Sequence, residues 1–192
     1  MAGTAGFVKR ESMHQSLLNA LCQHQGEKKI VAIDGPAGSG KTTLAADLSL
    51  QLEAAGFTVE VVHMDELYNG WQRALSEDLT ITLRSIVDGF RKGAVNYQVY
   101  DWHKKSYGSR KTFDSPQVLI LEGVGSGQRS IRDEINLLIW IEVAPELALQ
   151  RVIERDGEEI EPFMAQWMIE QTAHFLTEQT QGAADYCIDG AP

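Results

Sequence analysis

The 192-residue sequence is poor in several features, and each shortage excludes a class of protein. There are two cysteines, Cys22 and Cys187, too far apart to form a CxxC unit, so neither a zinc ribbon nor a disulfide framework is indicated. The apolar runs, such as Val118–Leu121, fall far short of the roughly 20 residues that span a bilayer. The N-terminus carries no apolar stretch of signal-peptide length. The expected compartment is therefore the cytoplasm, with no membrane partner. Basic residues number 17 against 27 acidic ones, a net charge of −10. That balance argues against a broad polyanion-binding face, and no nucleic-acid partner is expected. No repeat, low-complexity tract or linker divides the chain, so a single domain is expected over residues 28–192. Residues 1–27 read as a helical lead-in, in which Leu17, Leu18 and Leu21 share a face.

What is present is an alternation of short apolar runs and longer amphipathic ones. "KIVAIDG", "FTVEVVHMD", "SPQVLILEG", "INLLIWIEV" and "ADYCIDG" read as strands, and "YQVYDW" as a short strand-like piece. Helices are predicted over Lys41–Gly56, where Leu44, Leu48 and Leu52 recur every fourth residue, and over a segment that opens at an N-cap-like Ser76 and stops at Gly93. Two more are predicted, one from Pro145 to Gly157 and one over residues 162–180. Strands alternating with helices predict an α/β fold: a mainly parallel five-stranded sheet with helices on both faces. In such sheets, ligands bind outside the carboxyl ends of the strands.

The most informative stretch is Gly35, Pro36, Ala37, Gly38, Ser39, Gly40, Lys41, Thr42, which fits G-x-x-x-x-G-K-[ST] and lies between a predicted strand and a predicted helix. Glycines allow the backbone to turn so that successive N–H groups face phosphate oxygens, and the helix that follows adds the positive end of its dipole. Lys41 places a charge near the β- and γ-phosphates, and the Thr42 hydroxyl can ligate Mg²⁺. Thr43 continues the binding segment. ATP and Mg²⁺ are the expected ligands of a P-loop NTPase fold. There is no N-K-x-D motif of a GTPase and no L-S-G-G-Q motif of a transporter ATPase, and the size fits a small kinase.

"IDGPAGSGKTT", "HMDELYNGW", "VYDWHKKS", "LILEGVGSG", "RVIERD" and "ADYCIDG" resemble, in order and spacing, the uridine kinase-like small-molecule kinases, over roughly residues 28–190. The resemblance implies transfer of the γ-phosphoryl group of ATP to a small-molecule hydroxyl, in an enzyme that often assembles as a homo-oligomer. It implies that Asp65, in a D-x-x-Y context, accepts the proton of the attacking hydroxyl, with Tyr68 lining the acceptor site. Glu122, at a strand end, is expected to hold Mg²⁺ or the acceptor. Arg151 and Arg155, four apart on one helical face, are expected in a short lid that closes over the triphosphate. Asp34 is read as bonding to the loop backbone, His63 as a satisfied structural imidazole and His174 as packing.

"VYDWHKK" is similar to the Y-D-F-x-x-H-x-R stretch with which uridine kinases hold the nucleoside. Tyr100 and Asp101 match it, Trp102 replaces Phe, and the later His and Arg are missing from their places, where Tyr107, Arg110 or Lys111 could substitute. The acceptor implied first is a nucleoside such as uridine. The alternatives are a nucleoside monophosphate, a non-nucleoside hydroxyl compound, or a non-catalytic ATP-binding regulatory module. A monophosphate acceptor would need arginines at the acceptor site, which makes Arg84, Arg129 and Arg132 the discriminating positions.

Overall fold

The structure is a computed structural model and describes residues 28–191. The predicted lead-in over residues 1–27 lies outside the described residues. Five parallel strands form the central sheet: β1 (Lys29–Asp34), β2 (Val59–His63), β5 (Val118–Glu122), β6 (Leu137–Glu142) and β7 (Tyr186–Asp189), in the order β2-β5-β1-β6-β7. All the pairings are parallel, so every strand delivers its carboxyl end to one edge. There the register aligns Ile33 and His63 with Glu122, and Asp34 with Trp140.

The side-chain alternation of the strands divides the core between the two faces. Val31, Ile33, Ile120 and Ile139 pack with Leu44, Leu48 and Leu52 of helix α1 (Lys41–Ala54). Ile30, Leu119 and Leu121 face the other way, against Leu83, Ile86 and Phe90 of α2 (Glu77–Lys92). Ser76 does occupy the position before α2, but its side chain makes no capping bond. Its carbonyl accepts from the backbone N–H groups of Leu79 and Thr80 instead. Helix α3 (Pro145–Asp156) ends at Gly157, whose φ of 94° suits glycine. Helix α4 (Glu161–Glu178) packs Met164 and Trp167 onto the α2 face, and the single turn α5 (Thr180–Ala183) leads into β7.

Two elements depart from the sequence reading: the second predicted strand stops at His63, which leaves Asp65 in the 3₁₀ turn Met64–Glu66 that follows, and the short strand-like piece is part of something larger. The strand-like piece at Tyr97–Trp102 belongs to a full hairpin, β3 (Ala94–Asp101) with β4 (Ser106–Asp114), forming a separate antiparallel two-stranded sheet. β4 is largely exposed along both faces and carries only Tyr107 and Phe113 as large apolar residues, so it shows no alternation to read. The turn between the strands is held by Asp101. Its Oδ1 accepts from the N–H groups of His103 and Lys104 at 3.0 Å each, and its Oδ2 pairs with Lys104 Nζ at 3.0 Å.

Candidate functional site

The loop between β1 and α1 is a cradle whose shape requires glycine. Gly38 has φ of 76°, and a Cβ there would collide with the backbone carbonyl of Ala148 on α3. The side chain of Arg151 lies over the same loop, donating from Nη1 to the carbonyls of Gly190 at 2.7 Å and Gly38 at 3.4 Å. Two features of the cradle fit a phosphate. Ser39 is buried, yet its Oγ has no hydrogen-bond partner among the described residues. Lys41 is buried as well, with Nζ donating to the Pro36 carbonyl at 2.7 Å. Burial lowers the pKa of its ammonium, against the opposing pull of Glu122, Asp34 and Asp65.

Around that lysine the sheet edge gathers carboxylates. Glu122 is 4% exposed and accepts from Thr42 Oγ1 at 3.2 Å, and its Oε1 lies 2.5 Å from His63 Nδ1. The hydrogen bond to Glu122 raises the pKa of His63, and burial opposes it. Thr42 and Glu122 together are hard oxygen donors of the kind Mg²⁺ takes. Asp65 lies in the 3₁₀ turn Met64–Glu66 that follows β2. Asp65 is exposed, yet the protein packed around its carboxyl raises the pKa by desolvation. The charge of Glu122 adds to that shift, while Lys41 and Arg155 oppose it. These couplings, with the Thr42–Glu122 bond, group Lys41, Thr42, Asp65, Glu122 and Arg155 beside the cradle. Arg155 forms a bidentate pair with Asp156, at 2.7 and 2.6 Å, which raises its pKa.

Asp34 is fully buried and bonds to backbone, as the sequence suggests. Its oxygens accept from the N–H groups of Gly35 (2.8 Å), Gly125 (3.0 Å) and Gly127 (2.9 Å), tying the cradle to the loop after β5.

Most of the other residues singled out in the sequence bond or pack within the fold. Tyr68 is 2% exposed, and its hydroxyl is donated to the Val124 carbonyl at 2.8 Å. It thus forms a wall, in ring contact with Trp167, rather than presenting a free hydroxyl. Tyr100 is buried between the rings of Trp102 and Tyr107, and Asp101 serves the hairpin turn. Arg129 is committed to the end of α4, where its backbone N–H binds the Glu178 carboxylate and its Nε binds the Glu178 carbonyl. Arg132 binds the Gly127 and Glu178 carbonyls, while Arg84 is exposed on α2. Tyr107, Arg110 and Lys111 each bond within the fold, to the Leu67 carbonyl, Asn96 and Glu66. His174 is half-buried beside Gly125, and burial lowers its pKa.

The sequence reading gave no role to two residues at the site. Gln171 of α4 accepts from the Ala37 N–H at 3.1 Å, and no motif marks it. A cavity of about 680 Å³ opens beside it between α3 and α4, edged by Pro36 and Ala37. Trp102 stands out in the sequence only as a replacement for Phe. Its indole N–H donates to the Asp65 carbonyl at 2.9 Å, and its ring meets Trp71, which in turn stacks on Phe163.

A parallel α/β sheet whose first turn is a phosphate cradle, with carboxylates at the neighbouring strand ends, defines a P-loop phosphotransferase. The phosphoribulokinase / uridine kinase family model matches residues 73–189, more than half of the chain, and the chain belongs to that family. A second model, Novel STAND NTPase 3, matches residues 10–84, across the cradle. Solved structures share the fold. A protein described as a "possible uridine kinase" from Bacillus stearothermophilus is 20% identical, with a TM-score of 0.69 over 93% of this chain and 98% of its own. The D-glycerate 3-kinase of Cryptococcus neoformans is 15% identical, with a TM-score of 0.53 over 90% of this chain and 86% of its own. The protein is thus a kinase, and among the described residues no helix is long and apolar enough to cross a membrane.

Proposed function

We propose that this kinase transfers the γ-phosphoryl group of ATP to a hydroxyl of a small neutral molecule, with a nucleoside such as uridine as the acceptor. The observation that carries the reading is the grouping of Lys41, Thr42, Glu122 and Asp65 beside the cradle. The acceptor hydroxyl oxygen bonds to the γ-phosphorus as the bond to the β–γ bridging oxygen breaks, and ADP leaves with that electron pair. The hydroxyl proton passes to Asp65, whose raised pKa brings it closer to the acceptor's needs than an ordinary carboxylate. The cradle N–H groups of Gly38, Gly40, Lys41, Thr42 and Thr43, together with the Lys41 ammonium, hold the triphosphate. Mg²⁺, when bound, neutralises charge on the β- and γ-phosphates, and Thr42 and Glu122 are the residues that would hold it. Arg151 and Arg155 extend this positive wall from α3.

Two features support a neutral acceptor with a planar ring. Arg129 and Arg132 are both bound to the Glu178 carbonyl of α4, which leaves them poorly disposed toward an acceptor phosphate. Trp71, Trp102 and Phe163 give an aromatic surface beside Asp65. The absence of the expected His and Arg after Trp102 favours a non-nucleoside hydroxyl compound as the second reading. The test is ADP release from ATP–Mg²⁺ over a panel of nucleosides, nucleotides, sugars and vitamin precursors, with Asp65→Asn in parallel. A nucleoside-dependent rate that collapses in the variant is expected. A comparable rate with another hydroxyl compound replaces the acceptor. No acceptor dependence in any case points to a regulatory ATP-binding module.

A further inference from the structure

The base-bearing segment, residues 65–67, is held from outside by four side chains of the hairpin. Trp102 Nε1 donates to the carbonyl of Asp65 at 2.9 Å. Glu66 receives Lys111 Nζ on Oε1 at 2.6 Å and the Tyr97 hydroxyl on Oε2 at 2.9 Å. The Tyr107 hydroxyl donates to the carbonyl of Leu67 at 2.8 Å. The main sheet fixes only the start of this segment, because β2 ends at His63. Residues 65–67 sit beyond the last ladder bond, in a single 3₁₀ turn with one backbone hydrogen bond from Leu67 to Met64, shared at longer range by Tyr68. A lone turn of this kind is a weak platform for a carboxylate that must meet a hydroxyl within hydrogen-bond reach.

We propose that the β3–β4 hairpin is the positioning element for Asp65, with Trp102 as its principal contact, so that the site's geometry is set by the hairpin and not by the sheet alone. This rests on Asp65 being the base. Trp102 is a positioning residue, because its N–H touches the backbone of Asp65 and not the reacting atoms. Phenylalanine at this position could fill the space between Trp71 and Tyr100, but it has no N–H to donate, so the contact is a property of this chain's tryptophan. The hairpin's outer surface is polar and largely exposed, so the contacts to residues 65–67, together with its packing on α2, account for where it sits.

The experiment is a double-mutant cycle on the full chain, with Trp102→Phe and Asp65→Glu singly and together, read as kcat and as KM for ATP and for the acceptor. Asp65→Glu keeps a carboxylate but displaces it by one methylene, so its residual rate stays measurable. Trp102→Phe is expected to lower kcat about three- to tenfold, the worth of one hydrogen bond, with KM for ATP unchanged. In the Asp65→Glu background the same change is expected to cost less than twofold, because a carboxylate already out of register no longer depends on the turn. Tyr107→Phe, which removes only the hydroxyl on Leu67, is expected to follow Trp102→Phe in direction, and it serves as the second variant should Trp102→Phe fold poorly. Equal losses in both backgrounds would show that Trp102 acts elsewhere, and unchanged kcat in both Trp102→Phe and Tyr107→Phe would dismiss the hairpin's role. Full activity in Asp65→Asn would remove the base reading and the proposal with it, an outcome distinct from failure of the cycle.

Discussion

Asp34 offers a stringent test of how the cradle is built. Its carboxylate is 0% exposed and receives three backbone N–H groups, from Gly35, Gly125 and Gly127. Burial holds its pKa above the ordinary value, and the N–H bonds and Lys41 oppose that shift. Replacing it with alanine leaves three buried donors without an acceptor, at about 1–3 kcal/mol each. Removing a charge that burial disfavours returns part of that cost, so the expected net loss is about 3–5 kcal/mol. For a chain of this length that is a fall in Tm on the order of 10 °C. Asparagine keeps one oxygen, which can still serve Gly35 and Gly125, but turns an NH₂ toward Gly127. The expected loss is about 1–2 kcal/mol, or roughly 4 °C. Thermal unfolding followed by tryptophan fluorescence, without nucleotide, reads both. If Asp34→Ala melts within about 1 °C of the parent, the carboxylate is not what ties the cradle to the loop after β5. If Asp34→Asn keeps its Tm and loses all turnover, Asp34 belongs to the chemistry instead.

Gly38→Ala is expected to destabilise the cradle by about 1–3 kcal/mol, because φ of 76° disfavours a Cβ and the Ala148 carbonyl occupies its place. Thermal unfolding and ATP titration check it, and a parental ATP affinity would contradict the packing seen here. The His63–Glu122 contact gives a pH dependence. A base whose folded pKa is raised contributes stability that is fully present below its unfolded value, near 6.5, and is lost as pH rises through the higher folded value. Nucleotide-free protein is therefore expected to melt higher at pH 6 than at pH 8 relative to His63→Gln, and parallel Tm–pH curves for the two proteins would refute the link.

The central sheet was legible because its signals are local. β1, β5 and β6 are near-continuous apolar runs of the kind a sheet buried on both faces demands, and Gly93 and Gly157 mark helix ends by their backbone freedom. The cradle was legible for the same reason, since its spacing, glycines and lysine lie in eight consecutive residues. β4 was not, because a polar strand exposed on both faces carries no period, and only pairing with β3 makes it a strand.

Local sequence thus determined the class of this protein: the alternation of the central strands with helices, the cradle, and Glu122 at a strand end with Asp65 just beyond another. What only the tertiary structure decided is which side chains are already committed. Arg129 and Asp101 carry the right chemistry for an acceptor, yet one closes the end of α4 and the other the hairpin turn. Trp102, by contrast, reaches 37 positions back in the chain to the turn that bears Asp65. Donor and acceptor capacity is written in the residue, but its use is settled by whichever partner lies within about 3 Å, and that distance exists only after the chain has folded.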